Sequence, residues 1–470
     1  MPWAVFVHRW GEVRGFGPGR VEREELWRAP VSAAEALWLL GLVQRAFDDW
    51  EGRPVEMAFV PEDLLLYAPK PEPLEIPKPS TGTPPAHTRT CADTLADNLV
   101  SLWAGLQRDP DGTGISEAKQ DHGQFLITLS LEQGWLRADP AGRARPVAKA
   151  MLDWLRADPW TQWATLAKAW LSSTAWNDLA HVPTLRPDPA HGWPNDPAST
   201  RQGLIDHLNH CLTDTAYDIG TFAAYVQTHG TFFLRRDGDY DTWAPRSSSA
   251  EAPLRGFDAW DAVEGELIRY VITGPLHWLG LVDLGSDDPE GSPCSFALTQ
   301  AGAALLQDSD PPRFAALGPV QLGEDAVLSI PRHRRYERFQ LGRIADEIIA
   351  QESDAFRYRL SPSSLGRARQ QRIPLARIIG FLLEATGRET LPANLEAAIR
   401  GGYQENAPAT LGQHWVLRVP DPQVLEVPAI ASLITQQIAP GVVALRAEDQ
   451  SQACQLLLEN GILVDLDDPY

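Results

Sequence analysis

The sequence predicts an α+β protein, predominantly helical, in which repeated helix–hairpin–helix units lead into a smaller carboxy-terminal unit of helices and strands. Three observations carry this. Prolines punctuate the chain into blocks, apolar residues recur at helical spacing between them, and short hairpins opened by glycine follow the helices. With 470 residues, 44% apolar content and 17 tryptophans, the chain is globular and too long for one ordinary core. That length suggests about three domains.

The elements follow in order. Ala33–Gln44 reads as a helix, and AFDDWEGRPVEMAFVP as a hairpin turning near Glu51-Gly52. The first thirty residues show little periodicity, so residues 1–68 read as the back half of a helix-plus-hairpin unit whose front half is missing. PKPEPLEIPKPSTGTPP, from Pro69 to Pro85, is too rich in proline to build a core, and residues 69–89 are assigned as a linker. In residues 90–185, Cys91–Leu106 and Glu117–Gln133 are helical, and GWLRADPAGRARPVAKAMLDWL reads as strand, turn, strand, helix. Residues 196–310 hold helices near Arg201–Leu212 and Asp218–His229, a hairpin over TFFLRRDGDYDTWAP, and a helix over Trp260–Ile272. Helix, hairpin and short apolar helix recur at Gly134–Leu152 and Gly280–Leu306, a cadence that fits tandem winged-helix units.

In the last third, PRHRRYERF (Pro331–Phe339) reads as a loop before a helix over Leu341–Ile349. Arg357 and Arg359 share one face of a strand, with Phe356, Tyr358 and Leu360 opposite. Ser361-Pro362 is a helix start: a hydroxyl to accept an orphan amide, then a proline where no donor is needed. Leu375, Ile378, Ile379, Leu382 and Leu383 form one apolar helical face, and Pro392 opens a further helix closed by Gly401-Gly402. WVLRVPDPQVLEV then reads as a hairpin, Ala429–Ile438 as a helix, VVALR as a strand, Gln450–Asn460 as a helix and ILVDL as a closing strand.

The runs YRLSPSSLGRA (Tyr358–Ala368) and IIGFLLEATGRETLP (Ile378–Pro392), with the α/β tail after them, resemble the N-terminal domain of XPB-type DNA helicases. That domain also occurs in bacterial helicase-associated proteins. The likeness covers residues 325–470. WNDLAHVP (Trp176–Pro183) and TGPLHWLGLVDLG (Thr273–Gly285) resemble the same bacterial proteins. The resemblance implies a module that docks partner subunits ahead of a motor. Helicase activity does not carry over, because the sequence has no GxxxxGK[ST] phosphate loop and no DEAD-like run for magnesium.

Charge sharpens the question of partners. The net charge is −21, from 41 basic and 62 acidic residues, and such a chain is repelled by a phosphate backbone unless its basic groups concentrate locally. They do: eleven arginines stand against five acids between Pro331 and Arg377. Arg332, Arg334, Arg335 and Arg338, interleaved with His333 and Tyr336, are therefore candidate nucleic-acid contacts. So are Arg137, Arg143 and Arg145 in the expected wing of residues 135–150. The plainer alternatives are pairing with the acidic body and an ordinary solvated loop. In the helix near Trp260, Asp258, Asp261, Glu264 and Glu266 stand against Arg269 alone, which argues against entry into a DNA groove.

No run of eighteen apolar residues and no secretory leader occurs, and Cys91, Cys211, Cys294 and Cys454 lie far apart, like reduced thiols of a cytoplasmic protein. There is no HExxH, no GxSxG and no Cys–His pairing at ligand spacing. GFGPGR is a turn. His207 and His210 lack a third ligand, and Asp237, Asp239 and Asp241 lack the closing glutamate of a calcium loop. No catalytic residue, metal, cofactor, membrane contact or small-molecule substrate is indicated. The expected function is a non-enzymatic accessory or scaffold protein that docks a DNA helicase, nuclease or repair and transcription machinery. The alternative is a winged-helix DNA-binding transcriptional regulator.

Overall fold

In a computed structural model of the protein, the described residues are 1–50, 53–67, 77–90, 94–108, 121–250, 252–307, 309–312, 318–323, 326–348, 355–404, 414–460, 462 and 464. The fold is α+β, with helices dominating and several small antiparallel sheets.

The amino-terminal unit contains α1 (Trp3–Trp10), α2 (Ala33–Leu39) and a ribbon of β1 (Gln44–Trp50) and β2 (Arg53–Phe59). The ribbon pairs out to Trp50 and Arg53; the expected turn, Glu51-Gly52, lies outside the described residues. Helix α1 corrects the reading of a patternless start: Trp3, Phe6 and Trp10 lie at helical spacing, and their rings pack in tilted pairs with centroids 5.3 and 5.0 Å apart. Phe6 joins Ala34, Val43 and Ala58 in a small core of its own. Ser32 caps α2 by accepting the Glu35 amide at 2.9 Å. The buried Glu35 carboxylate accepts from Arg14 Nε and Nη2 at 2.8 and 2.7 Å and from the Val31 amide at 2.7 Å.

The carboxy-terminal end of the proline-rich segment is part of the fold. Residues His87–Arg89 form β3, which pairs with a strand nearly two hundred residues later. Gly82 donates to the Ala216 carbonyl at 2.7 Å, and Pro85 lies so close to Gly285 that a side chain there would overlap it.

The central body comprises α3 (Thr94–Arg108), α4 (Asp121–Glu132), the β4–β5 hairpin (Leu136–Ala138, Ala144–Pro146), α5 (Ala148–Leu155), α6 (Pro159–Ser172), α7 (Pro197–Leu208), β6 (Ala216–Asp218) and α8 (Ile219–His229). It continues through α9 (Glu266–Val271), flanked by wider π turns at Asp261–Gly265 and Ile272–Leu276, to β7 (Val282–Ser286), β8 (Ser295–Leu298) and α10 (Gln300–Leu306). The sheet order is β3-β7-β8-β6. One hydrophobic core runs from Leu95 to Ala303 and takes in Phe339 as well, so the blocks 90–185 and 196–310 share their interior. Asp178 ties it together. Its Oδ1 accepts from the indoles of Trp170 and Trp176 at 3.2 and 3.1 Å, and its Oδ2 from Arg201 Nε at 2.6 Å.

The expected hairpin over Thr231–Pro245 is absent; no strand lies in that span. Arg235 is drawn inward to Glu264 at 2.9 Å, between the rings of Tyr240 and Trp243, each 4.7 Å away. A buried guanidinium with a partner on another element overrides the alternation.

The third body has β9 (Gln321–Leu322), β10 (Val327–Pro331), α11 (Arg335–Ile344), β11 (Asp346–Ile348), β12 (Ala355–Arg359), α12 (Pro362–Gln370), α13 (Leu375–Thr386) and α14 (Ala393–Gln404), with strand order β9-β10-β12-β11. Ser361 and Ser364 cap α12 reciprocally. Two boundaries move. The arginine run stands in and just before α11 rather than in a loop ahead of it, and α14 continues past Gly401-Gly402. Gly402 lets α14 approach Leu365 of α12: a Cβ there would stand 3.2 Å from Leu365 Cδ1.

The last unit pairs β13 (His414–Arg418), β15 (Val442–Arg446) and β14 (Ile434–Ala439) in the order β13-β15-β14, with α15 (Pro428–Ala431) and α16 (Gln450–Glu459). Here Ala429–Ile438 is not one helix, and WVLRVPDPQVLEV is not a hairpin. Gly441, at φ 72°, supplies the turn that folds ITQQIA back onto VVALR. Residues 463 and 465–466 of the expected closing strand lie outside the described residues.

Candidate functional site

Helix α11 decides where the densest basic cluster points. Each residue turns the helix by about 100°, so Arg335, Arg338 and Gly342 share one face while Tyr336, Gln340 and Arg343 share another. The first face meets α3. Arg335 and Arg338 are 1% and 0% exposed, and Asp97, which receives them, is 5% exposed. Arg338 Nη1 donates to Asp97 Oδ1, Arg335 Nε lies 3.5 Å from the same oxygen, and Arg332 Nε lies 3.2 Å from Oδ2. Arg335 Nη1 also donates to Gln162 Oε1 at 2.8 Å, and the Arg338 guanidinium sits 3.3 Å from the Phe356 ring centroid. Gly342 allows the close approach, since a Cβ there would stand 2.8 Å from that of Ala104.

Three of the four candidate arginines thus converge on one buried carboxylate that joins α3 to α11. Arg334 turns aside, donating to the Gly318 carbonyl at 2.6 Å and to Glu337 at 2.7 Å. On the β4–β5 hairpin, Arg143 and Arg145 both reach Asp139 Oδ2 at 2.9 Å, while the exposed Arg137 stands opposite Arg145. The Arg143 amide, then the two guanidinium groups, hold the Asp139 carboxyl well below the usual range.

The opposite face of α11 opens on a cleft of about 550 Å³ between α5, α11 and the turn from α12 to α13. Arg343, Arg372, Arg377 and Glu384 line it beside Tyr336, Gln340, Gln371 and Phe381. These arginines belong to the eleven counted between Pro331 and Arg377, but the sequence does not group them as a site, because they come from separate elements. The helical spacing of Tyr336, Gln340 and Arg343 is the one signal that groups any of them.

His207 packs against Gly230, where a Cβ would overlap its ring, and His210 Nδ1 lies 3.2 Å from the Tyr225 hydroxyl. Asp239 caps its own turn by accepting the amides of Asp241 and Thr242 at 3.0 Å. Among the described residues no three His, Cys, Asp or Glu side chains could hold a metal, and no helix is long and apolar enough to cross a membrane. Cys211, Cys294 and Cys454 are free thiols, and burial pushes Cys211 up to about 12. No protein-family model matches the chain, and no curated protein matches it either.

Proposed function

We propose that this protein is a non-enzymatic accessory or scaffold of DNA repair or transcription machinery, combining winged-helix units with an XPB N-terminal-like unit and docking a helicase or nuclease. The observation that carries the reading is the surface of residues 1–67. Eleven of the sixteen exposed large apolar side chains among the described residues lie there, among them Phe47 at 75% exposure, Phe59, Val60, Leu65 and Leu66. Concentrated exposed apolar side chains mark protein contact sites. The winged-helix reading draws support from the β7-β8-β6 pairing, with α8 and α9 between β6 and β7.

Direct DNA readout draws less support. Arg335 and Arg338 are spent on Asp97, and Arg269 on Asp261 and Glu266, each at 3.0 Å. The test is affinity purification of the full tagged chain from its native cells, beside a Phe47→Asp/Phe59→Asp variant. A helicase or nuclease subunit recovered in stoichiometric amount and lost with the variant is the expected result. Recovery of metabolic enzymes only, or duplex DNA binding that falls steeply with salt, would remove the docking reading.

A further inference from the structure

The cleft beside α11 concentrates positive charge that the described residues do not neutralise. Three guanidinium groups, Arg343, Arg372 and Arg377, line it against the single carboxylate of Glu384, and no ion pair to any of the three arginines exists among the described residues. Arg343 is half-buried. Its Nη1 donates weakly to Gln340 Oε1 at 3.3 Å, while its Nε–H is buried without an acceptor among the described residues. Burial first, and then the neighbouring Arg377, hold the Arg343 guanidinium below its ordinary range. Gln371 Oε1 is a second buried polar atom on this wall with no donor among the described residues. An isolated buried polar group is unfavourable, so two on one wall beside like charges mark a place built for a ligand.

The backbone adds an independent sign. Arg372 stands at φ 60°, in the left-handed cap after α12 where glycine is the usual residue. Strain of this kind collects at ligand sites.

We propose that the cleft binds a small organic phosphate monoester, its dianionic group held between Arg343, Arg372 and Arg377 and its apolar body against Phe339, Ile378 and Phe381. Three arginines and one glutamate leave a charge of two, which a phosphate monoester dianion neutralises. Guanidinium groups recognise phosphate oxygens through paired hydrogen bonds. The 550 Å³ volume lies within the range of small-molecule sites, and the remaining lining is largely apolar, as such sites require. This inference does not depend on the docking reading.

The experiment uses the full chain, with calorimetric titration and thermal melting at fixed ionic strength. Phenyl phosphate should bind saturably and about tenfold more tightly than inorganic phosphate, and phenol should not bind. Arg343→Gln and Arg377→Gln should each weaken phenyl phosphate by about tenfold or more. Both variants should melt no lower than the parent in phosphate-free buffer, whereas Arg137→Gln should leave affinity unchanged. The proposal is overturned if phosphate stabilises no more than chloride, or if both cleft variants keep the parental affinity. It is equally overturned if phenyl phosphate binds no better than inorganic phosphate. Affinity for unphosphorylated oligonucleotides that rises with length would assign the charge to a polynucleotide backbone instead.

Discussion

The two faces of α11 make a controlled contrast. They share one helix, one stretch of sequence and one residue type. On the α3 side, Arg335 and Arg338 are buried against Asp97; on the other, Arg343 faces Arg377, and neither forms an ion pair with a carboxylate among the described residues. The linear density of arginine is the same for both. What separates them is helical phase, which decides whether a given guanidinium meets α3 or the cleft. Charge clusters therefore carry no functional meaning until they are resolved by face.

The contrast can be broken at four points. Asp97→Asn should have the largest effect, because it leaves buried arginines without their shared carboxylate. A loss of about 3–5 kcal/mol in denaturant unfolding is expected; a loss of less than about 1 kcal/mol would show that the cluster is dispensable. Gly342→Ala should cost about 2 kcal/mol by wedging α11 from Ala104. Parental stability in that variant would mean the two helices can part freely.

The Arg14–Glu35 pair tests an intermediate case, with a buried carboxylate and a half-exposed guanidinium. Arg14 holds the Glu35 carboxyl down to about 2, against an ordinary value of 4.5. A depressed carboxylate stabilises the fold above its unfolded value. Its contribution, about 1–2 kcal/mol after allowing for the exposed partner, should therefore be present above pH 4.5 and disappear as pH falls toward 2. Melting of the amino-terminal unit, followed by tryptophan fluorescence, should show that dependence, and Glu35→Gln should abolish it. The smallest effect belongs to the cleft. Arg377→Gln should change stability by no more than about 0.5 kcal/mol, or raise it slightly, since it relieves repulsion with Arg343. A clear loss would reveal a structural partner for Arg377.

Much of the local fold was legible. The Ser361-Pro362 start and the apolar face of Leu375–Leu383 each rest on short-range physics, and each stands where periodicity and capping place it. The failures share a cause. Thr231–Pro245 lost its expected strands because Arg235 has a partner, Glu264, twenty-nine positions away. ITQQIA became a strand because VVALR was available to pair with it. The Asp97 cluster joins residues some 240 positions apart, and nothing in PRHRRYERF announces an acid on α3. The candidate cleft was illegible for the same reason, since Arg343, Arg372 and Arg377 meet only after three elements pack.

The strand His87–Arg89 has a practical bearing. As the outermost member of its sheet, it covers the hydrogen-bonding rim of β7, a rim that would otherwise be a template for another chain. Trimming the molecule at residue 90, on the view that everything earlier is spacer, would uncover that rim and should yield a protein prone to self-association. A truncation that keeps Pro77 onward should remain dispersed.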